Sequence, residues 1–81
     1  MIELVRRIID TQGRLPVTAQ NLSPDSDLYE AGLTSFAAIQ IMLALEEALG
    51  LEFPDHMLRR QNFASINSIL ACLRQLERKA A

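Results

Sequence analysis

Ser35, which closes the tetrapeptide Gly32-Leu33-Thr34-Ser35, is the residue whose type and setting best suit chemistry. It stands where a loop of turn-forming residues gives way to strong helix formers, so its hydroxyl is expected exposed at the first turn of a helix. A phosphate attached there would meet unpaired backbone N–H groups and the positive end of the helix dipole. The simpler use of Thr34 or Ser35 is to cap that helix, and the tetrapeptide by itself favours capping. Other reactive groups have less support. Asp25 and Asp27 have the spacing of a calcium loop, but Glu30 stands where an EF-hand needs glycine, which leaves a solvated turn. His56 has no Cys or acid in a catalytic arrangement and reads as a surface residue. Cys72 flanks an apolar helical stripe with no base at a recognisable spacing, which places it at the edge of a core. One cysteine cannot form an internal disulfide, and with one histidine it cannot build a four-ligand zinc site. Neither a catalytic residue nor a metal site is expected.

The elements that must position Ser35 follow from length and patterning. A chain of 81 residues has room for one small domain, expected to span residues 1–81, and excludes a two-domain enzyme with an interdomain cleft. With 49% apolar and 22% charged residues it should fold as an ordinary soluble globule. No run approaches the ~18 apolar residues of a membrane span, and Met1 leads into Glu3, Arg6 and Arg7 rather than an apolar signal core. A cytoplasmic monomer with no membrane partner is expected. Charge is unevenly spread: residues 15–58 carry Asp25, Asp27, Glu30, Glu46, Glu47, Glu52 and Asp55 with no Lys or Arg, for a net −7. Residues 1–14 carry +1 and residues 59–81 carry +4, the latter from Arg59, Arg60, Arg74, Arg78 and Lys79 against Glu77. The acidic middle repels phosphate backbones, so nucleic acid is not expected as a ligand. The basic end, Arg74 to Lys79, most simply complements the dipole of a C-terminal helix.

Helical spacing of Ile2, Val5 and Ile9, with Leu4 and Ile8 alongside, predicts an amphipathic first helix. It should stop near Gly13 in a left-handed conformation, and Pro16 keeps it from resuming. Residues 13–33 follow no helical or strand period, yet Val17, Leu22, Leu28, Tyr29 and Leu33 imply a long ordered loop tacked to the core. A second helix runs from Ser35 to Leu49 and ends at Gly50. Its residues Ala38, Ile41, Met42, Leu45 and Leu49 share one side and suit the core, whereas Phe36, Ile39 and Leu43 point the other way beside Gln40 and Glu47. A bundle this small hardly covers both sides, so the second stripe implies a covering loop or a docking partner. Pro54 and Asp55 suit the start of a short helix reaching about Arg60. Ser65 suits the N-cap of a last helix with Ile66, Ile69, Leu70, Leu73 and Leu76 at helical spacing. The prediction is all-α: a small four-helix bundle of three longer helices and one short, with a long loop between the first two.

The run Asp27-Leu28-Tyr29-Glu30-Ala31-Gly32-Leu33-Thr34-Ser35-Phe36, with Met42-Leu43-Ala44-Leu45-Glu46-Glu47 and Phe53-Pro54-Asp55, resembles acyl carrier proteins and the carrier domains of polyketide and peptide synthetases. The likeness covers nearly the whole chain and reverses the preference for a cap. It implies that Ser35 bears a 4′-phosphopantetheine arm, taken from coenzyme A by a phosphopantetheinyl transferase, with the cargo held as a thioester. It implies a carrier and not an enzyme, served by an acyl- or amino-acid-activating ligase and by downstream transferases or synthases. The family commonly has Asp before the serine, where this chain has Thr34, which bears on the choice of transferase. The recognition helix of fatty-acid carriers is strongly acidic, whereas here Phe36, Ile39, Gln40 and Leu43 dilute Glu46 and Glu47. Thr34, Phe36, Ile39, Gln40, Leu43, Glu46 and Glu47 are therefore expected to meet partners, more by apolar contact and shape than by charge. These departures point toward a specialised pathway, with an amino acid as cargo, rather than bulk fatty-acid synthesis, and the end at Ala81 toward a freestanding protein. The alternative is a helical interaction module in which Ser35 is only a cap.

Overall fold

In the computed structural model, which describes the backbone of residues 1–80 and the side chains of residues 1–78, the first apolar stripe winds into α1 (Ile2–Gln12). It buries Val5, Ile8 and Ile9, with Ile2 and Leu4 packed partly against them. The helix ends at Gly13 as expected, but for another reason. Gly13 keeps a right-handed φ of −75°, and the left-handed residue is Arg14, at φ 54°. A Cβ on Gly13 would sit 2.6 Å from the Ile9 carbonyl oxygen, the same oxygen that accepts the Gly13 N–H at 2.8 Å. Close approach of backbone to backbone, and not φ, selects glycine there.

The loop that follows lies against the core, as its apolar residues predict. Ala19, Leu28 and Leu33 are buried, and Leu22 and Tyr29 are partly buried. Val17 differs from expectation and stays 44% exposed, because the 3-10 turn Ala19–Asn21 brings Ala19 inward instead. The loop is fastened at several points. Asp10 Oδ1 accepts the Ala19 N–H at 2.7 Å, Ala64 O accepts the Leu28 N–H at 2.7 Å, and Pro24 O accepts the Asn67 N–H at 3.0 Å. Asp25 and Asp27 serve the same end: Asn67 Nδ2 donates to Asp25 Oδ1 at 2.7 Å, and Tyr29 N donates to Asp27 Oδ1 at 2.9 Å. No group of three or more potential metal ligands occurs among the described residues.

Thr34 opens α2 (Ser35–Leu49) and Gly50, at φ 65°, closes it. The helix buries Ala37, Ala38, Ile41 and Leu45. Met42 and Leu49, expected in the core, pack against it but are only partly covered, and Ala37 is buried beside Ala38, Ile41 and Leu45. Instead of the short helix expected over residues 54–60 there are two 3-10 turns, Asp55–Met57 and Arg60–Phe63. Pro54 precedes the first as an extended residue (ψ 157°) rather than beginning it, and extended Arg59 (ψ 145°) separates the two. Buried Phe53, Met57 and Phe63 pin this segment to the core, the two rings 5.7 Å apart at 54°. Ser65 caps α3 (Ile66–Ala80) as expected, its Oγ accepting the Ser68 N–H at 3.0 Å. Ile66, Ile69, Leu70, Cys72, Leu73 and Leu76 are buried from this helix. Arg74 and Arg78 are exposed, and the side chain of Lys79 lies outside the described residues. The fold is all-helical: three α-helices joined by ordered loops and 3-10 turns, with no strand among the described residues. Among the described residues, no helix is long and apolar enough to cross a membrane.

Candidate functional site

A tight turn delivers the serine. Gly32, at φ 119°, adopts a conformation that side-chain-bearing residues rarely reach, and its N–H donates to Tyr29 O at 3.1 Å. The next residue, Leu33, then turns inward with its N–H on Leu28 O at 2.9 Å. Thr34 emerges extended (ψ 161°), and its Oγ1 accepts the Ala37 N–H at 3.0 Å. Thr34 is thus the N-cap, and Ser35 is the first residue inside the helix. The capping role left open for Ser35 falls to its neighbour. The Ser35 side chain is exposed and makes no hydrogen bond to another described residue.

Beside Ser35 a groove of about 420 Å³ runs between α2 and the 3-10 segment, within the ~300–1,000 Å³ range of small-ligand sites. Ala38, Ile39, Met42, Leu58 and Phe63 supply its apolar walls, and Tyr29, Arg59 and Arg60 the rest of its lining. The Arg60 guanidinium lies over the Tyr29 ring, 3.9 Å from its centroid, and the Tyr29 hydroxyl donates to Arg60 O at 3.1 Å. Partial burial raises the Tyr29 pKa, the Arg60 charge opposes the rise, and Asp27 adds to it. None of the groove residues beyond Ser35 and Ile39 was expected from the sequence as part of a site. The Arg59-Arg60 pair, the first cations after a long acidic stretch, was the available signal.

The outward stripe of α2 is as expected. Phe36 is 69% exposed, Ile39 52% and Leu43 48%, and Leu58 of the neighbouring segment adds a further exposed apolar side chain. Gln40 is half-buried and Glu47 exposed. Glu46 is half-buried and already engaged: its Oε2 accepts the Phe53 N–H at 2.8 Å. That carboxylate holds the chain after α2 in place, a use that the helix pattern did not show. His56 is exposed in the first 3-10 turn, and Cys72 is buried, its thiol pKa raised by desolvation.

These residues fit a covalently attached phosphodiester. The hydroxyl is free and exposed, the unpaired N–H groups of the first turn of α2 lie beside it, and two cations and an apolar channel continue from it. A family model described as "Phosphopantetheine attachment site" matches residues 3–73. The chain is 48% identical over 65 residues to an aminoacyl carrier protein of Agrobacterium fabrum, covering 80% of this chain and 78% of the relative. It superposes with a TM-score of 0.89 and 43% identity on a chain of the crystal structure of an engineered Bradyrhizobium japonicum glycine:[carrier protein] ligase complexed with carrier protein from Agrobacterium tumefaciens and AMP, covering 91% of this chain and 99% of that one. A solution structure of an Agrobacterium tumefaciens protein matches with a TM-score of 0.76 and 41% identity over 100% of both chains.

Proposed function

Since the chain belongs to the phosphopantetheine-attachment family of carrier proteins, we propose that Ser35 is its attachment residue and that its cargo is an amino acid. Membership makes the molecule a carrier, not a catalyst, and makes its prosthetic group a covalent 4′-phosphopantetheine. When attached, that group supplies a terminal thiol on which a carboxylic acid is carried as a thioester. The observation that carries the assignment to Ser35 is the division of labour at the start of α2. Thr34 satisfies the helix, so the exposed Ser35 oxygen is free to be esterified.

In priming, Ser35 Oγ forms a bond to the phosphorus nearer the pantetheine of coenzyme A while the diphosphate bridge breaks. The nucleotide half leaves, and the hydroxyl proton passes to the transferase, which also supplies the activation. The helix N-terminus favours the resulting anion. The aminoacyl reading draws support from the Agrobacterium fabrum relative and from the similar chain found in a complex with a glycine:[carrier protein] ligase. An amino-acid-activating ligase is accordingly the proposed loading partner, meeting the protein on Thr34, Phe36, Ile39, Gln40, Leu43 and Glu47, with Glu46 at the edge. The proposed unit is a single carrier domain over residues 1–81. A cytoplasmic location accords with it, because that is where coenzyme A and a reduced Cys72 are expected.

The test has two stages. Incubation with coenzyme A and a broad-specificity transferase should add the mass of one arm to the wild type and none to Ser35→Ala. An unaltered wild type, alongside a control carrier that is primed, would refute the attachment. The primed protein should then be charged by an amino-acid:carrier-protein ligase, with glycine the first amino acid to try, and not by fatty-acid-activating enzymes. Efficient loading with fatty acids alone would overturn the cargo assignment.

A further inference from the structure

A diester attached to Ser35 places a fixed negative charge on the lining of the groove. Of the residues that line it, Arg59 and Arg60 are charged and no acid is among them. They differ in how firmly they are held. Arg60 is clasped by Tyr29 twice over, the ring under its guanidinium at 3.9 Å and the phenol on its carbonyl at 3.1 Å. Tyr29 in turn belongs to the turn that delivers Ser35, its N–H on Asp27 Oδ1 and its carbonyl oxygen accepting from Gly32. The loop that presents the hydroxyl therefore also positions the cation. Stacking engages the face of a guanidinium and leaves its in-plane N–H edge available, the edge that matches two oxygens of a phosphate. Asp27, the nearby acid, turns its Oδ1 to the N–H groups of Tyr29 and Glu30.

We propose that Arg60, pre-positioned by Tyr29, pairs with the phosphodiester on Ser35 and lays the root of the arm along the groove walled by Ala38, Met42 and Phe63. Arg60 is a positioning residue in this role, and the proposal rests on Ser35 carrying the arm. Its geometry has a consequence for loading. With the root of the arm held at the groove mouth, the thiol sweeps a narrower region over the outer face of α2 than a free tether would.

Phosphorus NMR of the primed protein tests this apart from any activity. Intact mass first establishes that each variant is fully primed, and circular dichroism that it is folded. The wild-type ³¹P resonance should be displaced from its position in urea-unfolded primed protein, and priming should shift the Arg60 Nε–H signal. Arg60→Ala should return the ³¹P resonance to the unfolded position. Arg60→Lys, which keeps charge but not the fork, should return it partway, as should Tyr29→Leu. Tyr29→Phe, which keeps the ring, should stay near wild type. A resonance unmoved by Arg60→Ala, or moved only by Arg59→Ala, overturns the proposal while leaving Ser35 as the attachment residue. Failure of the wild type to gain mass on priming removes both.

Discussion

The hydroxyls of Thr34 and Ser35 are adjacent and differ in what they touch. Thr34 Oγ1 holds the Ala37 N–H at 3.0 Å, and replacing such a cap by alanine costs about 1 kcal/mol. Thr34→Ala should therefore lower the thermal midpoint by roughly 4–8 °C for a domain this small, whereas Ser35→Ala should leave it within a degree or two. Thr34→Asp should stay near wild type, because Asp caps as well as Thr does. Thermal denaturation followed by circular dichroism reads all three. Equal losses from Thr34→Ala and Ser35→Ala would mean that Ser35 is a structural residue after all. The pattern Gly-Leu-Thr-Ser made the pair legible, since a glycine that must bend and two hydroxyls before a helix admit few arrangements. The Tyr29–Arg60 clasp was not legible, because its partners are 31 residues apart and no local pattern ties a tyrosine in a loop to an arginine in a 3-10 turn.

At the scale of elements, α2 has two apolar sides, and its periodicity alone identified the one left in water. Phe36 and Leu43 lie outside the buried core, so Phe36→Ser and Leu43→Ser should cost no more than about 0.5 kcal/mol, the penalty of a weaker helix former. Each large apolar side chain fully covered on docking contributes about 1.5–3 kcal/mol, so each variant should raise the KM for the loading ligase by roughly tenfold or more, with priming still complete. Ligase kinetics on primed variants would show this, and an unchanged KM would move the docking surface elsewhere. Glu46 and Glu47 looked equivalent in the sequence and are not. Glu46 ties the Phe53 N–H at 2.8 Å, a charge-assisted bond whose loss costs about 1.5–3 kcal/mol, so Glu46→Ala should destabilise the fold and Glu47→Ala should not. If chemical denaturation gives both variants the same stability, the carboxylate has no structural role. Periodicity could not find this tie, because Phe53 lies beyond the end of the helix, where the pattern stops. The same limit explains the segment expected to be one short helix: Phe53, Met57 and Phe63 must all reach the core, and two 3-10 turns with an extended Arg59 between them meet that demand.

For the molecule as a whole, burial sets the chemistry of its thiols. Cys72 sits among Ile69, Leu73 and Leu76 on α3, and desolvation raises its pKa above that of a free cysteine, ~8.5. The folded state therefore favours the neutral thiol. The resulting stability is complete below the unfolded pKa and is lost as pH rises through the higher folded value, so the denaturation midpoint should fall above about pH 9. Burial acts on Tyr29 in the same direction, and its contribution should disappear at a still higher pH. Cys72→Ala should remove the earlier part of this alkaline loss, and an unchanged pH profile would show that the thiol titrates normally. The same burial sets Cys72 apart from the thiol that an attached arm would supply outside the core. With a single cysteine in the chain, native unprimed protein at pH 8 should resist iodoacetamide, whereas primed protein should take up one adduct quickly and a second only on unfolding. Intact mass over time distinguishes the two. Fast alkylation of the unprimed form would mean that α3 opens readily around Cys72, leaving a second nucleophile to compete with the arm for an activated acyl group.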